Sequence, residues 1–159
     1  MPGLPRMSIL RTSMQMGPIL LVEDRSNDVF LLQSMLERWG IAESLHVVSD
    51  GEEAIKYLAG AGIYADRETH PFPSLVLLDL HLPKISGKEV LTWIRQRFHP
   101  TQLPVVILSG SNYYLKIVEL FNLGADQYVV KGSMQNRLRD TLTGLTPPAS
   151  QPVANQPAV

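Results

Sequence analysis

Residues 75–87 read L-V-L-L-D-L-H-L-P-K-I-S-G. The run Leu75–Leu78 is apolar at every position and ends on a single carboxylate, Asp79. A short run with no polar alternation suits a strand buried on both faces, as in a parallel sheet. Two further runs share this character, Ile19–Val22 upstream and Val105–Leu108 downstream, and Leu45–Val48 and Gln127–Val130 read as weaker strands.

Helical patterns fill the intervals. Val29, Leu32, Met35, Leu36 and Trp39 recur at i, i+3, i+4 and i+7, with Ser26 or Asn27 as the expected cap and Gly40 as the stop. Asp50 is expected to cap a second helix over 52–59, where Glu52 and Glu53 favour the positive end of the dipole. A third starts near Ser86 and stops before Pro100. A fourth covers 112–123 and is closed by Gly124, and Ser133 is expected to cap a fifth. Five strand-then-helix repeats imply an α/β, flavodoxin-like doubly wound (βα)5 fold. The five-stranded parallel sheet then takes the order 2-1-3-4-5. The connection over 60–74, with Gly62, Pro71 and Pro73, is expected to be a surface excursion.

Composition narrows the class. The chain has 159 residues, 45% of them hydrophobic, which fits one domain with a real core. Its lack of cysteine excludes disulfides, thiolate metal sites and Cys nucleophiles. A net charge of −1 without long runs of one sign points away from nucleic acid and membrane surfaces. The apolar runs are too short for a signal peptide or a membrane span, so a cytoplasmic protein is expected. Residues 1–17 read as a flexible arm, 18–145 as the folded unit, and the Pro-rich, uncharged 146–159 as a disordered tail. The stretch after 145 is too short for a DNA-binding module, so the expected output is contact with another protein, competition for phosphate as a sink, or onward relay.

In such a sheet, ligands bind beyond the carboxyl ends of the strands. Those ends supply Glu23 and Asp24, then Asp79, Ser109 and Lys131. Clustered carboxylates repel one another, and a hard divalent cation with oxygen ligands resolves the repulsion. An ammonium and a hydroxyl beside them suit the oxygens of a phosphoryl group. The set as a whole fits phosphoryl transfer onto a carboxylate, with Asp79 as nucleophile.

The segments I-L-L-V-E-D (19–24), L-V-L-L-D-L-H-L-P-K-I-S-G (75–87), V-V-I-L-S-G (105–110) and G-A-D-Q-Y-V-V-K (124–131) resemble the receiver domains of two-component response regulators, of the CheY-like superfamily. The spacing agrees as well, with Ser109 lying 30 residues and Lys131 52 residues after Asp79. The resemblance implies that Asp79 takes a phosphoryl group from a histidine of a sensor histidine kinase. It implies Mg2+ held by Asp24, Asp79 and the backbone carbonyl of His81, with Glu23 acting through water. Lys131 and Ser109 would contact phosphoryl oxygens, and Tyr128 matches the family's switch aromatic. Gly132 departs from the family, which places a cis-bonded proline after the lysine; a trans bond is expected here, since a cis non-proline bond costs about 2.5–4 kcal/mol. The excursion, with E-D-R-S-N-D-V (23–29) and H-V-V-S-D-G-E-E-A (46–54), resembles the single-domain regulators paired with bacterial and cyanobacterial phytochromes.

Two other classes fit less well. A binding-only pseudo-receiver would have little use for intact Asp24, Asp79, Ser109 and Lys131. A phosphatase with an aspartyl intermediate wants a second acid where His81 stands. The fourth helix is apolar on nearly every face, which points to a homodimer through helix 4, strand 5 and helix 5, with cover by one of the chain's own ends as the alternative.

Overall fold

A computed structural model describes residues 16–41 and 44–145. The expected tail, and all of the expected arm except Met16 and Gly17, lie outside the described residues. Along the chain come β1 (Ile19–Val22), α1 (Ser26–Arg38), β2 (Leu45–Val48), α2 (Gly51–Ala59), β3 (Leu75–Asp79), α3 (Gly87–Arg95), β4 (Val105–Ser109), α4 (Tyr114–Asn122), β5 (Gln127–Val130) and α5 (Met134–Leu145). All strand pairs are parallel, and the sheet order is β2-β1-β3-β4-β5. This is the doubly wound order expected from the alternation of runs.

Alternate residues of each strand feed two separate cores, because side chains point to opposite faces with period two. On one face Leu20, Val22, Val76, Leu78, Val105 and Ile107 pack with residues of α2 and α3 and with Leu120 of α4. On the other, Ile19, Leu21, Leu75, Leu77, Val106 and Leu108 pack with α1 and α5. Every residue of β1, β3 and β4 is buried, which is why these strands are apolar up to the polar residues, Asp79 and Ser109, that end β3 and β4. Burying a Leu or Val side chain is worth roughly 1.5–3 kcal/mol, so each of these strands is held by its own side chains.

Helix ends differ in how they are tied. Asp50 caps α2 by accepting from Glu53 N at 2.7 Å, and Gly60 ends it in the left-handed region, φ 67°. Ser86 and Glu89 form a reciprocal capping box on α3. Helix α1 starts ahead of both expected caps: Arg25 occupies the cap position without a side-chain bond, and Ser26 and Asn27 lie inside the first turn. Ser133 belongs to a short 3-10 turn, Lys131–Ser133, that leads into α5. The bond before Gly132 is trans, as are all peptide bonds among the described residues.

The 60–74 connection is a structured excursion. It contains a 3-10 turn at Gly62–Ala65. Arg67 donates to the carbonyls of Tyr57 and Leu58 at 2.8 and 3.0 Å, adding a side-chain donor to the last-turn carbonyls of α2. Tyr57 Oη donates to Pro71 O at 3.0 Å from the other side. Among the described residues, no helix is long and apolar enough to cross a membrane.

Candidate functional site: an acidic crevice closed by one lysine

The parallel register brings three strand ends together. Asp79 and Ser109 are the last residues of β3 and β4, and Glu23 follows β1, its N–H bonded to Val48 O at 3.1 Å. Carboxylate oxygens of Glu23, Asp24 and Asp79 lie within 4.8 Å of one another. Glu23 and Asp79 are buried while Asp24 is exposed, so the cluster opens to solvent on the Asp24 side. An all-carboxylate donor set of this size fits a hard divalent cation and offers nothing to a soft one.

Lys131, just beyond β5, reaches into this cluster. Its ammonium donates to Glu23 Oε2 at 2.7 Å, to Asp28 Oδ2 at 2.8 Å and to Asp79 Oδ2 at 3.2 Å. Burial works against the charged lysine, but the bonds to Asp28 and Glu23 and the charge of Asp79 outweigh it and hold the ammonium well above its usual pKa. Burial pushes the Glu23 carboxyl up to about 7, against the opposing pull of Lys131 and of Arg25 N–H. The crevice thus gathers more acid than it can neutralise from within.

Of the other expected residues, Ser109 is fully buried at the tip of β4, and its Oγ accepts from Ser111 N at 3.3 Å. Tyr128, on β5, donates its hydroxyl to Ser111 O, so the phenol and Ser109 hold the same β4–α4 loop. His81 is exposed, and its N–H donates to Asp79 Oδ1 at 3.3 Å.

Sequence reasoning missed Asp28. It stands in the first turn of α1, where an acid reads as ordinary complement to the dipole. The signal was its place five residues after Glu23, on a helix that begins at the crevice. Lys84 was also missed. It adopts φ 67°, uncommon for a side chain with a Cβ, and its ammonium lies 3.2 Å from Asp50 Oδ2, so the loop after Asp79 is tied to the cap of α2.

Residues 19–143 match the response regulator receiver domain. The chain is 38% identical over 113 residues to the response regulator Rcp1 of Synechocystis sp., covering 71% of this chain and 75% of that protein. Among solved structures it is similar to the bacteriophytochrome response regulator RtBRR, with a TM-score of 0.73 and 34% identity over 89% of this chain and 85% of that one. It is likewise similar to the phosphorylated cyanobacterial phytochrome response regulator RcpA, with a TM-score of 0.67 and 36% identity over 82% and 91% of the two chains. The protein belongs to the receiver-domain family of response regulators.

Proposed function

We propose that this receiver is a phosphorylation switch whose Asp79 accepts a phosphoryl group from a histidine of a sensor kinase. The observation that carries the reading is the contact between the Lys131 ammonium and Asp79 at 3.2 Å, beside an acidic cluster open to solvent. An Asp79 carboxylate oxygen forms a bond to phosphorus as the P–N bond of the phosphohistidine breaks. The P–N electron pair returns to the imidazole, and an aspartyl phosphate remains.

Asp24, Asp79 and the His81 carbonyl would hold Mg2+, with Glu23 acting through water. A bound divalent cation supplies charge neutralisation for the crowded carboxylates and the arriving phosphoryl oxygens. Lys131 pairs with one phosphoryl oxygen and Ser109 donates to another, drawing the β4–α4 loop inward. Tyr128 then leaves the Ser111 carbonyl and turns in behind Ser109. Support for this chemistry comes from relatives: Rcp1 has a Mn2+-bound form, and RcpA has a phosphorylated one.

The partner kinase in this reading is a bacteriophytochrome, supported by the similarity to the phytochrome response regulators RtBRR and RcpA. The switched surface is α4, β5 and α5, where Tyr113, Tyr114, Leu115 and Phe121 are exposed. A second copy of the chain is the proposed cover, and the protein acts in the cytoplasm by protein contact. Self-dephosphorylation through water returns the switch to its resting state.

Incubation with acetyl phosphate and Mg2+ is expected to retard the protein in phosphate-affinity electrophoresis, and Asp79→Asn is expected to abolish the shift. No shift in the wild type would leave a module that only binds a partner.

A further inference from the structure

We infer that Asp28 is a positioning residue that aims the Lys131 ammonium at the acceptor carboxylate, an inference that rests on the phospho-acceptor reading of Asp79. Three carboxylates share that ammonium, but they are not equivalent. Glu23 and Asp79 belong to the acidic cluster that a cation would occupy. Asp28 lies outside it and is still bonded to Lys131 at 2.8 Å. Once a cation draws on Glu23 and Asp79, Asp28 is the carboxylate left to hold the lysine at the crevice.

The lysine needs such a hold. It leads directly into Gly132, which is exposed and has open space where a Cβ would stand, so no side chain at that residue packs beside the lysine. A four-carbon stem carries several rotatable bonds and is best fixed from its charged tip. Asp28 is a suitable anchor because it sits on α1, whose Leu32, Met35 and Leu36 are buried against the sheet. The pair is sheltered, with Lys131 16% and Asp28 24% exposed, which separates it from surface ion pairs of negligible worth.

The test is a cycle of Asp28→Asn and Lys131→Met, with Asp28→Glu as the conservative rescue. The rate of phosphorylation by acetyl phosphate is expected to fall about tenfold in Asp28→Asn. The Mg2+ concentration for half-maximal rate stays within about twofold, because the cation cluster keeps its own carboxylates. Asp28→Glu regains most of the rate, and Asp28→Asn has no further effect once Lys131→Met is present. In the metal-free protein, Asp28→Asn lowers the Tm by about 3 °C more with Lys131 present than with Lys131→Met.

An unchanged or faster rate in Asp28→Asn would overturn the inference, as would equal effects of the substitution in both backgrounds for rate or for Tm. The phospho-acceptor reading stands apart from these outcomes, because it is decided by the wild type and Asp79→Asn. If the wild type takes no phosphoryl group, both fall.

Discussion

The crevice end of the sheet and the α4 segment are built to different standards. Around the crevice, α2 and α3 carry side-chain caps and the buried acids have partners. Helix α4 has Tyr113 at its cap position without a side-chain cap bond, has no acid in its first turn or base in its last, and buries only Leu120. Its neighbour β5 has one fully buried residue, Val129. A cavity of about 430 Å³ separates α4 from α5, lined by Ile117, Phe121, Tyr128, Val130 and Arg137 among others. The difference teaches where a small energetic input can act. A phosphoryl group at the crevice would act most readily on the segment that buries the fewest of its side chains.

The largest expected effect lies at the crevice floor. A Cβ on Gly87 would stand 2.1 Å from Asp79 O and 2.7 Å from Leu80 Cα, both backbone atoms that cannot rotate away. Gly87→Ala is expected to cost about 3 kcal/mol in urea unfolding, with Asp79 pushed out of register. A loss under about 1 kcal/mol would mean that this end is as yielding as α4.

The opposite change should help at α4. Tyr113 already has extended backbone, φ −67° and ψ 117°, as a cap residue does. Tyr113→Asp is expected to gain about 1 kcal/mol by adding the missing cap, read as a higher denaturation midpoint. No gain would show that α4 is tied in some other way.

The smallest effect on stability belongs to Leu115, which is 62% exposed. Leu115→Ser is expected to change the stability of the monomer by no more than about 0.5 kcal/mol. In sedimentation it should weaken self-association at tens of micromolar. A wild type that sediments as a monomer there would remove the dimer proposal.

The same contrast explains how far the sequence could be read. Strands β1, β3 and β4 were legible because both faces are covered, which leaves runs of four consecutive apolar residues. Asp79 and Ser109 stood out as polar ends of those runs. Caps were legible where a capping side chain stands directly before the helix, as at Asp50 and Ser86, and not at α1, where Ser26 and Asn27 looked like caps but lie inside the helix. The limits of α4 were drawn two residues early at its start and one late at its end, because a stretch apolar all round carries no period to mark them. Asp28 was hidden for another reason. Its partner is 103 residues away, and local pattern says nothing about contacts at that distance.

The division of the core by the sheet has an optical consequence. Trp93, stacked by Arg97 at 4.2 Å, packs against the layer of α2, α3 and α4, while Trp39 packs against the layer of α1 and α5. Each side of the molecule therefore carries its own indole, and nature has left one fluorescent witness per layer. Melting followed at each would reveal whether the two halves come apart together or in turn.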